Sequence, residues 1–115
     1  MGISTLYAST GTISTTEFSL PFYADYVSTS RVGTAAVMQT FIDTSAMTAG
    51  KQLQIRIYER VTSSSPQLVI YEAILSGTMA ATWVSPSLVM SNGWDVTCKV
   101  VSSSVALNWS IRAVS

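Results

Sequence analysis

The sequence predicts an all-β domain, an antiparallel β-sandwich of the jelly-roll or immunoglobulin-like class. Three observations lead to this prediction: apolar residues recur with period two in several segments, polar turns separate these segments, and no stretch has the pattern of a long helix. With 115 residues, of which 48% are apolar, the chain is long enough for one hydrophobic core and too short for a second. We therefore expect a single domain.

Six segments have the alternation of strands, and polar turns rich in Gly, Ser, Asn or Pro separate most of them. They cover residues 12–20, 35–43, 52–61, 67–75, 94–101 and 105–114. The clearest is the third, in which Leu53, Ile55 and Ile57 alternate with polar residues, as is typical of a strand with one wet face. The fourth is evenly apolar, so we expect it to be a central strand. Short additional strands are predicted near residues 3–7 and 82–84.

The domain boundary falls near the N-terminus. We expect residues 12–115 to form the sandwich and residues 1–11 to form an N-terminal arm or an edge strand. The first residues lack a basic segment followed by an apolar run, so no secretion signal is predicted. No apolar run approaches the length of a transmembrane helix, so no membrane partner is expected.

Charged residues are scarce and balanced. Only 10% of residues are charged, against roughly 25% in an ordinary soluble domain, and six Lys or Arg offset six Asp or Glu. Because nucleic-acid binding needs a basic surface, no nucleic-acid partner is expected. A neutral surface has little repulsion to keep copies apart, which favours a subunit of an assembly. The alternative is a monomer whose polar surface comes from Ser and Thr.

The sequence predicts no catalytic, cofactor-binding or metal-binding residues, and therefore no enzyme. It has no histidine, which excludes the Ser–His–Asp triad and a Cys–His pair. Cys98 alternates in phase with Trp94, so we expect both in the core rather than in a reactive site. Glu59 and Glu72 lie on strands predicted to pair, where two acids could face each other, but a surface charge ladder is the ordinary interpretation.

Aromatic residues mark the candidate interface. Phe22, Tyr23 and Tyr26 crowd a segment with poor strand alternation, and exposed aromatic side chains in a loop are typical of an interface. Burial under the edge of the sandwich is the competing interpretation. Together with Leu6 and Tyr7 of the N-terminal segment, these residues form the predicted interface.

Several stretches taken together resemble a family of small virion proteins of tailed bacteriophages, similar to capsid cement or decoration proteins. The matching stretches are residues 15–21, 41–47, 55–61, 83–88, 93–97 and 109–112. The resemblance implies a β-sandwich on the capsid surface of the virion, assembled in the host cytoplasm. It implies that the major capsid protein is the partner, and that copies of the chain bind one another, as homotrimers in many such proteins.

The resemblance leaves two functions open. A cement protein would stabilise the phage head by bridging adjacent major capsid subunits. The alternative is a β-sandwich module of the tail or baseplate that binds glycan, which predicts a solvent-exposed aromatic platform.

Overall fold

A computed structural model describes residues 2–29, 31–77 and 82–114. In these residues the chain forms strands and turns and no helix, so none of the described part could cross a membrane as a helix. The strands are β1 (Ile3–Ile13), β2 (Phe18–Ser19), β3 (Ala24–Asp25), β4 (Ala36–Asp43), β5 (Gln52–Glu59), β6 (Leu68–Ser76), β7 (Thr82–Val84), β8 (Leu88–Met90), β9 (Trp94–Val100) and β10 (Val105–Val114).

The strands form two antiparallel sheets. The first sheet has the order β1-β10-β4-β7, with β8 also paired to β4, and the second has the order β3-β2-β9-β5-β6. We count β7 and β8 as one strand interrupted at Pro86, and treat β3 as an additional edge strand. The remaining eight strands then follow the order of a jelly roll, two four-stranded sheets built from Greek keys. Of the two predicted sandwich classes, the jelly roll describes the chain.

The core lies between the two sheets and follows the alternation that the sequence predicted. Leu53, Ile55 and Ile57 of β5 are fully buried, and their polar neighbours face away from the core. Trp94 and Cys98 of β9 are also fully buried, which confirms their predicted place in the core. Besides Tyr58, the other buried apolar residues on the long strands are Ile13, Met38, Ile42, Val96, Val100, Val105, Leu107, Trp109, Ile111 and Ala113.

The predicted strand over residues 12–20 is wrong. The long strand lies earlier, at Ile3–Ile13, and is paired with β10 along its length, whereas residues 18–19 belong to the other sheet. The chain crosses between the two sheets in the intervening residues, where Val100 N donates to Ser14 O. β1 is an edge strand with one face exposed to solvent, and its exposed side chains are mostly Ser and Thr. The alternation of apolar and polar residues is therefore weak in this segment. Residues 3–11 of the predicted arm or edge strand thus lie in β1.

The predicted central position of residues 67–75 is also wrong. These residues correspond to β6, which lies at the edge of the second sheet. An evenly apolar strand usually has both faces buried, but here only Tyr71, Ala73 and Leu75 pack against the core. The remaining apolar side chains of the strand are exposed. Trp83 in β7 stacks on Tyr71 with ring centroids 6.4 Å apart and so covers this side of the core.

Candidate functional site

The five predicted interface residues lie in three different surroundings. Leu6 and Tyr7 on β1 are half-buried against the core. Phe22 and Tyr23, in the turn between β2 and β3, expose 44% and 54% of their surface. Tyr26 is half-buried, and its ring stacks on Tyr58, with centroids 4.5 Å apart. The residues therefore do not form one continuous patch.

Tyr23 holds the β2–β3 turn against β1. Its ring stacks on Trp109 with centroids 6.0 Å apart and contacts Phe18 edge-on, and its hydroxyl donates to the carbonyl of Thr10 at 3.0 Å. Its φ of 53° is in the left-handed region, which costs energy for a residue with a side chain. Because one ring face and the hydroxyl are already in contact with β1 and β10, Tyr23 is not a free aromatic platform.

A polar cluster lies on the outer face of the second sheet, around Glu17. The hydroxyls of Tyr58 and Thr97 both donate to Glu17 Oε2 at 2.5 Å, and Arg56 Nη1 lies 3.9 Å from Oε1. Burial, together with the hydrogen bond to Glu17, raises the pKa of Tyr58 to about 12. The cluster ties the segment before β2 to β5 and β9.

Asp95, next to this cluster on β9, is completely buried. Its Oδ1 accepts hydrogen bonds from Ser19 Oγ at 2.7 Å and Val96 N at 2.8 Å, whereas its Oδ2 is buried without a partner. Burial raises the pKa of Asp95 to about 6, although the bonds from Ser19 and Val96 lower it, and the negative charge of Glu17 raises it further. A side chain with no exposed surface cannot reach a substrate, so Asp95 fixes β2 on β9.

Glu59 and Glu72, the two acids that the strand pairing could have brought together, do not face each other. Glu72 stands opposite Arg56, whose Nε donates to its carboxylate at 2.7 Å, whereas Glu59 stands opposite Leu68. Glu59 is therefore three residues further along β5 than the position opposite Glu72, about 10 Å at strand spacing. Among the described residues, no group of three or more Cys, Asp or Glu is placed to hold a metal ion.

Two shallow clefts open on the outer faces of the sheets. One, of about 290 Å³, is lined by Gln54, Ile74 and Lys99 among others. The other, of about 230 Å³, is lined by residues that include Phe41 and Arg112. The Arg112 guanidinium lies 3.9 Å from the centroid of the Phe41 ring and covers it. This cleft therefore lacks the open aromatic platform expected for glycan binding.

The most distinctive surface is the β6 edge, which we define as Leu68–Ser76 with its unpaired side. Four apolar side chains are exposed there: Leu68 by 60%, Val69 by 43%, Ile70 by 43% and Ile74 by 53%. Within the described ranges, the backbone of β6 pairs with β5 alone. An open strand edge carries N–H and C=O groups that another strand can bind.

The β6 edge lacks most of the devices that protect such edges. Natural edge strands are often short, or carry lysine, proline or inward-pointing charges. β6 is nine residues long and contains neither lysine nor proline, and a bulge near Ile70 is its one irregularity. Its charged residue, Glu72, is neutralised by Arg56 and also accepts from Gln54 Nε2 at 3.1 Å. The β6 edge is thus suited to bind an uncharged extended segment.

The other open edges differ in length. β1 is eleven residues long, from Ile3 to Ile13, and contains no charged residue. On the opposite side of the first sheet, β7 and β8 have three residues each and are interrupted by Pro86. β3 has two residues. In the part of the chain that the structure describes, β1 and β6 are therefore the long edges.

Sequence reasoning missed the β6 edge, although a signal was present. The pattern of an evenly apolar segment bounded by turns fits a buried central strand, and it also fits an exposed edge strand that can bind another strand. A central strand differs from an edge strand only in having a neighbour on both sides. Which strands are neighbours depends on residues distant in the chain.

Comparison with known proteins supports the fold of the chain but does not assign it to a family. No family model matches the chain, and no curated protein matches it. A chain from Bacillus endospore appendages, which form a novel family of disulfide-linked pili, is structurally similar with a TM-score of 0.53. The two share 11% sequence identity over 98% of this chain and 87% of that chain. At this identity the likeness concerns the fold alone.

Proposed function

We propose that the protein is a structural subunit that acts by being built into a larger particle. The observation that carries this proposal is the β6 edge, a long open strand with exposed apolar side chains and a single charged residue, Glu72, which is paired with Arg56. Exposing such an edge is a liability for a monomer, because other strands can add to it. The same feature is useful to a protein whose partner completes the sheet.

Within this class we propose a cement protein of a phage head, which bridges adjacent major capsid subunits at the virion surface. The resemblance of the sequence to small phage virion proteins supports this assignment, as do its low content of charged residues and its balance of Lys and Arg against Asp and Glu. A protein that binds the assembled capsid and not its dissociated subunits stabilises the particle by mass action.

The likeness to the appendage chain is compatible with a subunit role. The way in which copies of the two proteins are linked should differ, however. Those pili are disulfide-linked. The single cysteine of the present chain, Cys98, is fully buried in the core, and burial raises the pKa of its thiol. We therefore propose non-covalent contacts between copies and with the capsid.

The proposal is tested by adding purified protein to capsids that lack it and measuring co-sedimentation and capsid melting. The wild-type chain should co-sediment and raise the melting temperature. Ile74→Lys, which places a charge on the β6 edge, should bind more weakly. Ala106→Lys serves as the matched control, because Ala106 is exposed on β10, an interior strand of the other sheet.

Absence of the protein from mature virions, or equal binding by Ile74→Lys and wild type, would contradict the proposed role of the β6 edge in the capsid. Immunogold labelling of the particles locates the protein. Label on the tail would replace the cement role with that of a tail or baseplate module.

A further inference from the structure

We propose that the β6 edge of one copy binds β1 of a second copy, so that the sheets of neighbouring subunits join head to tail. This inference rests on the proposed role as an assembly subunit and names the contact between copies. It follows from the direction of backbone groups on the two edges, from their lengths and from their charges.

The backbone of β6 presents free groups at defined positions. The carbonyl of Lys51, at the start of β5, accepts from Gly77 on the β6 side, whereas the carbonyl of Gln52 accepts from the β9 side. Because antiparallel residues turn their groups alternately to the two sides, odd-numbered residues of β5 face β6. Glu72 and Ile74 stand opposite even-numbered residues of β5. Their N–H and C=O groups therefore point to the open edge.

The backbone of β1 also presents free groups at defined positions. The carbonyl of Thr40 on β4 accepts from Ser85 N, so even-numbered residues of β4 face β7 and β8. Odd-numbered residues of β4 then bond with even-numbered residues of β10, which leaves the odd-numbered ones to bond with β1. Ile3, Thr5 and Ala8 stand opposite even-numbered residues of β10. Their backbone groups therefore point outward.

The open part of β1 is its first half. Further along, the outward carbonyl of Thr10 already accepts from the hydroxyl of Tyr23. The turn between β2 and β3 thus blocks the second half of this edge. The segment from Ile3 to Ser9 offers seven residues, with a register shift at Leu6, to the nine of β6, which has its own bulge near Ile70.

Charge favours β1 over a second β6 as the occupant. Pairing β6 with β6 would bring two Glu72–Arg56 ion pairs into one interface, where taking charged groups out of water costs free energy. β1 has no charged residue, and its exposed side chains are small or hydroxylated apart from Ile3. A strand of this kind brings no further charge to the apolar surface of Leu68, Val69 and Ile74.

A contact between two different edges can be repeated from one copy to the next. A bound pair of copies still has one free β1 edge and one free β6 edge, so copies add in rings if the rotation closes and in open chains if it does not. A closed ring of three would account for the homotrimer that the sequence resemblance implies.

The test uses two variants of the full chain, each with one blocked edge. Ile74→Pro removes an outward N–H from β6, and Ala8→Pro removes one from β1, in both cases without removing a bond within the sheet. Ile74→Lys and Ala8→Lys block the same edges if a proline variant does not fold, since lysine protects natural edges. Circular dichroism establishes folding, and analytical ultracentrifugation measures mass.

The head-to-tail contact predicts complementation. Wild type should self-associate, each blocked variant alone should sediment as a monomer, and an equimolar mixture should form a species of twice the monomer mass. Self-association of the Ala8 variant alone would indicate β6–β6 pairing and overturn the inference, and self-association of the Ile74 variant alone would indicate β1–β1 pairing and do the same. A wild-type chain that stays monomeric at its highest soluble concentration would also overturn it.

The outcome is distinguishable from that of the proposed function. A chain found in virions that never self-associates contradicts the head-to-tail contact alone. A chain that complements as described but is absent from virions contradicts the virion role alone.

Discussion

Asp95 should make the protein less stable at neutral pH than at acid pH. Its carboxyl is fully buried, and only one of its two oxygens has hydrogen-bond partners, Ser19 Oγ and Val96 N. Burial raises its pKa from the ordinary 3.8 to about 6 in the folded protein. The folded state therefore holds this proton more tightly than the unfolded state, and the stability it contributes is present below about pH 4 and lost as the pH rises through 6.

The magnitude follows from the two pKa values. The difference between about 6 and 3.8 corresponds to about 3 kcal/mol, at roughly 1.36 kcal/mol for each pH unit. Most of this change, about 2 kcal/mol, should fall between pH 4 and about pH 7.5.

The perturbation is Asp95→Asn, which keeps the shape of the side chain and removes the titrating proton. Urea unfolding of wild type and variant at several pH values gives both free energies of unfolding. Their difference should shift by about 2 kcal/mol in favour of the variant as the pH rises from 4 to about 7.5. Any constant cost of placing an amide in this site cancels from that shift.

The matched control is Asp25→Asn, which removes a negative charge from exposed β3 on the same sheet. The effect specific to burial is the part of the shift that this control does not reproduce. If the curves of wild type and Asp95→Asn run parallel across the pH range, the burial argument for Asp95 is refuted.

Three further predictions concern the packing around β1 and the core. Tyr23→Phe, which loses the bond to the Thr10 carbonyl, should lower the free energy of unfolding by about 1 kcal/mol in chemical denaturation, and an unchanged midpoint would contradict a stabilising role of this hydrogen bond. Gly11→Ala places a Cβ 3.1 Å from the Tyr23 hydroxyl and should cost about 1–3 kcal/mol by the same assay, while Gly33→Ala, with nothing within 4 Å, should cost little. The buried Cys98 should react with a chromogenic thiol reagent only in denaturant. A fast reaction of the folded protein, seen as a rapid rise in absorbance, would contradict its burial.

Alternation in the sequence was sufficient to identify the inward faces of the long strands. Leu53, Ile55 and Ile57 are inward because a strand turns successive side chains to opposite faces, and this is a local property. It was not sufficient for β1, where an edge position leaves Ser and Thr on the exposed side and weakens the pattern. Nor could it place β6, since an evenly apolar strand reads the same at the centre of a sheet and at its edge.

The candidate interface shows the same division. Phe22 and Tyr23 are exposed as an interface would require, but Tyr26 stacks on Tyr58, which lies on β5 and is distant in the chain. The polar cluster likewise joins Glu17 to Tyr58 and Thr97. The periodicity of the sequence predicts the face of the sheet on which a side chain lies. It does not predict which distant residue that side chain contacts.

The sequence alone determined that this protein is a β-sandwich with a single core, because burial of alternate apolar residues is encoded along each strand. It also determined the scarcity of charge, which favours association. Only the tertiary structure decided the jelly-roll order and left β6 and the first half of β1 as the long open edges of the part of the chain that it describes. Strand order depends on pairings between segments far apart in the chain, as between β1 and β10, and an edge exists only where such a pairing is absent.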